Sequence, residues 1–355
     1  MRGGLLLVAL ALAAPVAAQA PPDWAADAVW YQIFPERFRN GDPSNDPTWA
    51  SLDAPERVPE ADWRVSDWTA DWYARADWER ALGPDFYADG VFLRRYGGDL
   101  QGILDRVGYL DSLGVTAVYL NPVFHAASLH KYDASSYHHV DPHFGPDPAG
   151  DLALMATETA DPATWTWTSA DRLFLDLVAA LHARGIRVVL DGVFNHTGTR
   201  FWAFADVARR QQASLYADWY TITAWDDPAT PADEFDWRGW WGFKPLPEFA
   251  DTAAGTDLHP GVKAHVFDAT RRWMDPDGDG DPSDGIDGWR LDVAGEVPDG
   301  FWRGWTARVA ELNPNAITVA EEWGDASAYL GRTGFLSVMN YHGLAVSLDA
   351  FAFDR

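Results

Sequence analysis

Two hydrophobic periods take turns along this chain. Leu100, Ile103, Leu104, Val107 and Leu110 recur at helical spacing and stop at Gly114, and Leu173, Leu177 and Leu181 do the same before Gly185. A glycine just past the last apolar position is a common helix stop. Between such stretches lie short apolar runs, the pattern of strands buried on both faces. They predict strands over 29–38, 117–124 and 186–196, followed by GWRLDVAGE at 288–296 and ITVAEEW at 317–323. Strand alternating with helix is the mark of an α/β barrel. Trp68 and Trp72 are four apart, as are Trp78 and Leu82, which predicts a short amphipathic helix or two within 49–96.

Three of the strand runs end on charges that a core would not hold. In a parallel barrel, chemistry sits at the C-terminal strand ends. Side chains alternate faces along a strand, so Arg290 and Asp292 point the same way, as do Asp191 and Asn195. Glu321 adds a third acid, and two acids flanking one bond are what glycoside hydrolysis requires. A lone Asp in a strand is ordinarily a cap or half of a buried ion pair. Here the order, the strand context and the flanking residues agree.

On these residues the chain resembles the alpha-amylase superfamily, glycoside hydrolase family 13, and within it the neopullulanase and cyclomaltodextrinase-like branch, over about 30–341. The family's strand-three motif matches Asp191, Asn195 and His196, its strand-four motif Arg290 and Asp292, and its strand-five motif Glu321 and Trp323. Tyr132, within SLHKYD, matches an aromatic that stacks on the sugar next to the cut. Glu296 resembles the branch of dual bond specificity. The resemblance implies a TIM (β/α)8 barrel with a domain B inserted after strand three. Residues 1–18 are then a signal peptide, 19–196 carry strands one to three with a Trp-rich insertion at 49–96, 197–258 form domain B, and 259–355 carry strands four to six. MNY at 339–341 resembles the sixth strand, and SLDAFAFD after it reads as the start of a helix. Trp237, Trp240 and Trp241 lie in domain B, as substrate contacts or as packing of a small subdomain.

The family's chemistry follows for these positions. Asp292 would attack the anomeric carbon, and Glu321 would protonate the leaving oxygen and then activate water. Ionised Asp292 is expected to raise the pKa of Glu321, while the Arg290 guanidinium holds Asp292 charged. The substrate would be an α-glucan such as starch, pullulan, cyclodextrin or maltooligosaccharides, cut at α-1,4 and, by the Glu296 match, α-1,6 bonds. The family's third acid, an Asp directly after a His on a later strand, has no counterpart after Glu321, so the barrel is expected to be C-terminally incomplete. A non-catalytic glucan-binding chain or inactive fragment is the alternative reading.

Two acidic stretches invite cations. NGDPSND and GGD offer Asn40, Asp42, Asn45, Asp46, the Gly97 carbonyl and Asp99, enough hard oxygen ligands for Ca²⁺. Without the resemblance, turn and capping roles suit such residues better; with it, calcium is expected. DPDGDGDPSDG at 275–285 places Asp275, Asp277 and Asp279 like the front half of an EF-hand loop, with Ile286 where the closing Glu belongs. It is either a second Ca²⁺ loop or a solvated acidic turn.

Composition adds a setting. The first segment, MRGGLLLVALALAAPVAAQA, has a basic start, an apolar run and small residues before a cut after Ala18, so a secreted protein, extracellular or periplasmic, is expected. The apolar run is short for a membrane span. A formal charge of −26, from 53 acids against 27 Lys and Arg, argues against nucleic acid or anionic lipid as partner. The chain has no Cys, so no disulfide contributes to its stability.

Overall fold

The computed structural model describes residues 20–88 and 90–352, and the expected signal peptide lies outside the described residues. Six strands, β1 (Trp30–Ile33), β2 (Ala117–Leu120), β3 (Arg187–Gly192), β4 (Gly288–Leu291), β5 (Ile317–Ala320) and β6 (Ser337–Val338), form one parallel sheet in sequence order. Each strand pairs only with its chain neighbours, the order that βα repeats of a barrel generate. The inner strands β2 to β5 are almost wholly buried because helices cover the sheet, whereas the edge strands β1 and β6 are more open. Helices α1 (Leu100–Leu104), α2 (Val107–Ser112), α3 (Ser169–His182), α4 (Pro260–Met274) and α5 (Asp299–Leu312) supply that cover. From α3 come Phe174, Leu177, Val178 and Leu181, from α4 Trp273, and from α5 Trp302 and Trp305. A buried Trp removes about 150–250 Å² from water, roughly 4–6 kcal/mol as an upper bound at ~25 cal/mol/Å².

The strands are shorter than the hydrophobic runs predict. β1 stops at Ile33 because Pro35 carries no N–H for the ladder and starts the helical turn Pro35–Phe38 instead. The expected helix over 100–110 is split in two at Asp105 and Arg106. The sixth strand lies two residues before the segment expected, leaving 339–341 at its C-terminal end. The helix expected after it is present as Val346–Ala352.

The insertion at 49–96 has a small core of its own, in which Leu52, Val58, Trp63, Trp78, Phe86 and Leu93 pack together. Its polar brace is the buried Arg94–Glu79 pair, with Nη2 to Oε2 at 2.7 Å and the guanidinium over the Phe86 ring. Among its described residues the one α-helix is Asp77–Ala81, which holds Trp78, and Trp49–Ser51, Pro55–Arg57 and Gly90–Leu93 are 3-10 turns. Trp68 and Trp72 sit in turns, so their spacing of four does not mark a helix; Trp72 stacks on Tyr96 instead. After β3 come helix Trp202–Arg210 and two antiparallel hairpins, Ile222–Ala224 with Asp236–Trp237, and Gly239–Trp240 with Phe243–Pro247. No helix among the described residues is long and apolar enough to cross a membrane.

Candidate active site

Polar chemistry begins where the strands end. Asp191 is the penultimate residue of β3, Asp292 follows β4 directly, and Glu321 follows β5 directly. The ladder sets Asp191 beside Arg290, and the pleat turns Arg290 and Asp292 to one side. Arg290 then meets all three acids. Its Nη1 donates to Asp191 Oδ1 at 2.9 Å and Oδ2 at 3.0 Å and to Asp292 Oδ1 at 2.9 Å, and its Nη2 lies 2.8 Å from Glu321 Oε2. Glu321 Oε2 also accepts from the Val293 N–H at 2.8 Å. Val293 has φ +41°, a left-handed conformation that costs a β-branched residue on the order of 1–3 kcal/mol and aims that amide at the acid.

The charges are unequal. Burial raises the pKa of Asp292 to about 8, helped by the neighbouring Asp191 and Glu321 carboxylates and opposed by Arg290. Arg290 binds Asp292 as expected and favours its charge, but burial outweighs it, because one guanidinium serves three carboxylates. Burial also raises Asp191, against Arg290 and the hydroxyls of Tyr119 and Tyr132. Asp191 and Asp292 share one cation's field, so the charge on each depends on the other.

These groups form the floor of a cleft of about 1000 Å³ lined by Tyr132, His196, Trp240, Arg290, Asp292 and Glu321. His196 stacks on Trp240, and burial lowers its pKa to about 4, so the ring is neutral at pH 7. The Asn195 amide nitrogen, 3.1 Å from His196 Nδ1, can only donate, so the ring proton sits on Nε2. That Nε2 is buried, with no hydrogen-bond partner among the described residues.

Not every expected substrate contact lies in the cleft. Asp191 is buried behind it, fully engaged by Arg290, Tyr119 and Tyr132, so it orients the floor. Asn195 likewise acts through His196. Glu296 lies in a neighbouring groove, where Trp241 Nε1 donates to its Oε1 at 3.3 Å. Trp323 is exposed and stacks flat on Tyr341, with ring centroids 4.0 Å apart; Tyr341 itself lines the cleft. Among the domain B tryptophans, Trp240 faces the cleft, while Trp237 packs on Phe204 and Phe235. Tyr119, Met339 and the insertion residues Asp53, Arg57 and Phe92 also reach the cleft and were not foreseen. The one signal for Tyr119 was a hydroxyl near the end of a buried strand.

The first acidic stretch presents a cradle. Asn40 Oδ1 and Asn45 Oδ1 are buried acceptors without donors among the described residues. Burial, with Asp99, Glu36 and Asp42 nearby, raises Asp46 to about 6. Gly97 has φ +69°, and a Cβ there would come 2.1 Å from Asp46 Oδ1. Asp42 and Asp99 are partly committed elsewhere: Asp42 caps Ser44, and Asp99 caps α1 through Gly102 N–H while accepting from Gly41 and Asp42. Orphan oxygens around a glycine are a donor set that fits a hard cation. In the second stretch Asp275 and Asp277 converge with Asp284, and the expected Asp279 is instead turned to cap the Asp281 N–H.

Comparison with known proteins agrees with this geometry. The alpha amylase catalytic-domain family matches residues 32–160 and 169–352. Neopullulanase 2 of Thermoactinomyces vulgaris is 38% identical over 90% of this chain and 43% of its own length. A cyclomaltodextrinase of Geobacillus thermopakistaniensis (strain MAS1) is 36% identical over 93% of the chain and 44% of its own length. Among solved structures, the cyclic alpha-maltosyl-(1→6)-maltose hydrolase of Arthrobacter globiformis superposes with TM-score 0.65 at 33% identity, over 93% of this chain and 58% of its own. The type III pullulan hydrolase of Thermococcus kodakarensis gives TM-score 0.69 at 30% identity, over 94% and 50%. The chain thus spans less than half the length of the two curated relatives.

Proposed function

Because the chain belongs to the alpha-amylase family of glycoside hydrolases, we propose that it forms the catalytic floor of an exported, retaining α-glucan hydrolase. The observation that carries this reading is the single Arg290 guanidinium bound to Asp191, Asp292 and Glu321 at the base of an open cleft. In the proposed double displacement, Asp292 attacks the anomeric carbon as Glu321 gives its proton to the departing oxygen; a water deprotonated by Glu321 then releases the sugar. Tyr132 and Trp240 line the cleft and offer aromatic surface to sugar rings, and the neutral His196 backs Trp240. Carbohydrate is uncharged, so the net charge of −26 does not oppose its binding.

Calcium fits the first cradle. Asn40 and Asn45 Oδ1, Asp46 and the Gly97 carbonyl would hold it, with the remaining lone pairs of Asp42 and Asp99 completing the shell. Its contribution there is structural, joining 40–46 to the segment that leads into α1. The acidic loop of Asp275, Asp277 and Asp284 is a weaker candidate for a second ion. Export rests on the leader-like composition of residues 1–18.

The test is digestion of pullulan, soluble starch and cyclodextrin by the protein carrying this chain, with the product anomer followed by proton NMR. Retention gives an α-anomer first. Asp292→Asn is expected to lower kcat by roughly 10⁴-fold or more and Glu321→Gln by about 10²–10⁴-fold, with the fold intact by circular dichroism. A β-anomeric first product, or near-normal turnover in Asp292→Asn, overturns the assignment.

A further inference from the structure

A second cavity, of about 470 Å³, lies apart from the cleft, and Arg200 lines both. His138, His139 and Glu158 meet on its wall with ligating atoms within 4.8 Å of one another. Both imidazoles turn Nε2 to one oxygen: His138 Nε2 is 3.2 Å and His139 Nε2 2.6 Å from Glu158 Oε2. Their other nitrogens are already held. His139 Nδ1 is 2.8 Å from Asp171 Oδ2, and His138 Nδ1 is 3.2 Å from Ser136 Oγ. Asp171 is itself fixed by the Val140 N–H at 2.8 Å and by Arg272 Nη2 at 3.0 Å. The remaining Glu158 oxygen, Oε1, accepts from Thr166 N and Oγ1.

Hydrogen-bonded outer nitrogens, with inner nitrogens converging on a carboxylate oxygen, are how proteins orient metal-binding histidines. Ligands about 2.0–2.1 Å from a tetrahedral ion lie about 3.3 Å from one another. The His138–Glu158 separation of 3.2 Å is already close to that value, and His139, at 2.6 Å, needs to withdraw by about 0.7 Å. All three side chains are almost wholly buried. The cavity leaves room for a fourth ligand, and Ser135 Oγ, buried on the same wall, has no hydrogen-bond partner among the described residues.

We infer that His138, His139 and Glu158 form a nitrogen-rich metal site of the zinc type, separate from the oxygen cradle and from the catalytic floor. Two imidazoles select a borderline ion such as Zn²⁺ over Ca²⁺. Binding needs the lone pair of both Nε2 atoms, so each ring keeps one proton, on Nδ1 toward Ser136 or Asp171, and only a ring that held two protons releases one to solvent. The ion ties residues 138 and 139 to the segment at 158. Between the two histidines and the cleft stands Tyr137, whose hydroxyl donates to the His196 carbonyl at 2.7 Å, so the site braces the wall behind a cleft residue.

Calorimetric titration of the tag-free protein with Zn²⁺, in excess Ca²⁺ to fill oxygen-only sites, tests this. One equivalent is expected, bound at least ~100-fold more weakly by both His138→Gln and Glu158→Gln. Co²⁺ added to the unsubstituted protein reports independently of any variant's folding: a four-coordinate site gives intense visible absorption, an all-oxygen octahedral site only a faint band. Absence of stoichiometric Zn²⁺ binding, a faint Co²⁺ spectrum, or unchanged affinity in both variants overturns the proposal and leaves His139 as an imidazolium bridging two carboxylates.

Discussion

Asp292 carries a nucleophile's charge in a place that disfavours charge. Its pKa of about 8 lies far above the ~3.9 of an unfolded aspartate. Between those values the folded protein holds a proton that the unfolded chain has released, so this group's contribution to stability falls as pH rises from about 4 to about 8. Asp292→Asn keeps the shape and removes the charge, while Arg290 retains Asp191 and Glu321. Its melting temperature should exceed the parent's at pH 8, with the gain shrinking toward pH 5 by at most about 2 °C per pH unit. An equal gain at both pH values would remove buried charge as the cause. Stability given up at a reacting group is a common cost of function.

At the scale of elements, the insertion at 49–96 behaves as a satellite of the barrel. Its core packs separately, yet Asp53, Arg57 and Phe92 stand on the cleft wall. Phe86, buried at the centre of that core, is the residue to remove. Phe86→Ala should cost about 3–5 kcal/mol, and the loss should appear as local opening of the insertion. Proteolytic nicking confined to 49–96 and a raised KM for long glucans at nearly constant kcat are the expected readouts. A cooperative loss of the whole fold, with no selective nicking, would show the insertion to be integral to the barrel core.

For the whole molecule, the net charge of −26 concentrates repulsion that bound cations relieve. The orphan oxygens of Asn40 and Asn45 are where chelation should act. Removing Ca²⁺ from protein held at ~100-fold excess over its Kd is expected to lower the melting temperature by about 4–5 °C, with Asp46→Asn much less responsive. A melting curve indifferent to chelator would leave these residues as caps and turns.

The apolar runs and the charges that end them determined the parallel α/β sheet and the set Asp191, Arg290, Asp292 and Glu321, because strand order and a period of two already force those side chains together. Tyr132 and His196 were legible through their motifs. Strand lengths were not, since Pro35 and the left-handed Val293 end strands by backbone geometry that an apolar run does not reveal. Trp68 and Trp72 show the same limit: a spacing of four is shared by helices and by turns that happen to repeat. Only the tertiary structure decided that Asp191 stands behind the cleft, that Glu296 lies in the next groove, that Asp284 replaces Asp279, and that His138, His139 and Glu158 converge. Each depends on which distant segments pack against one another, and on how burial then divides one cation's field among several acids.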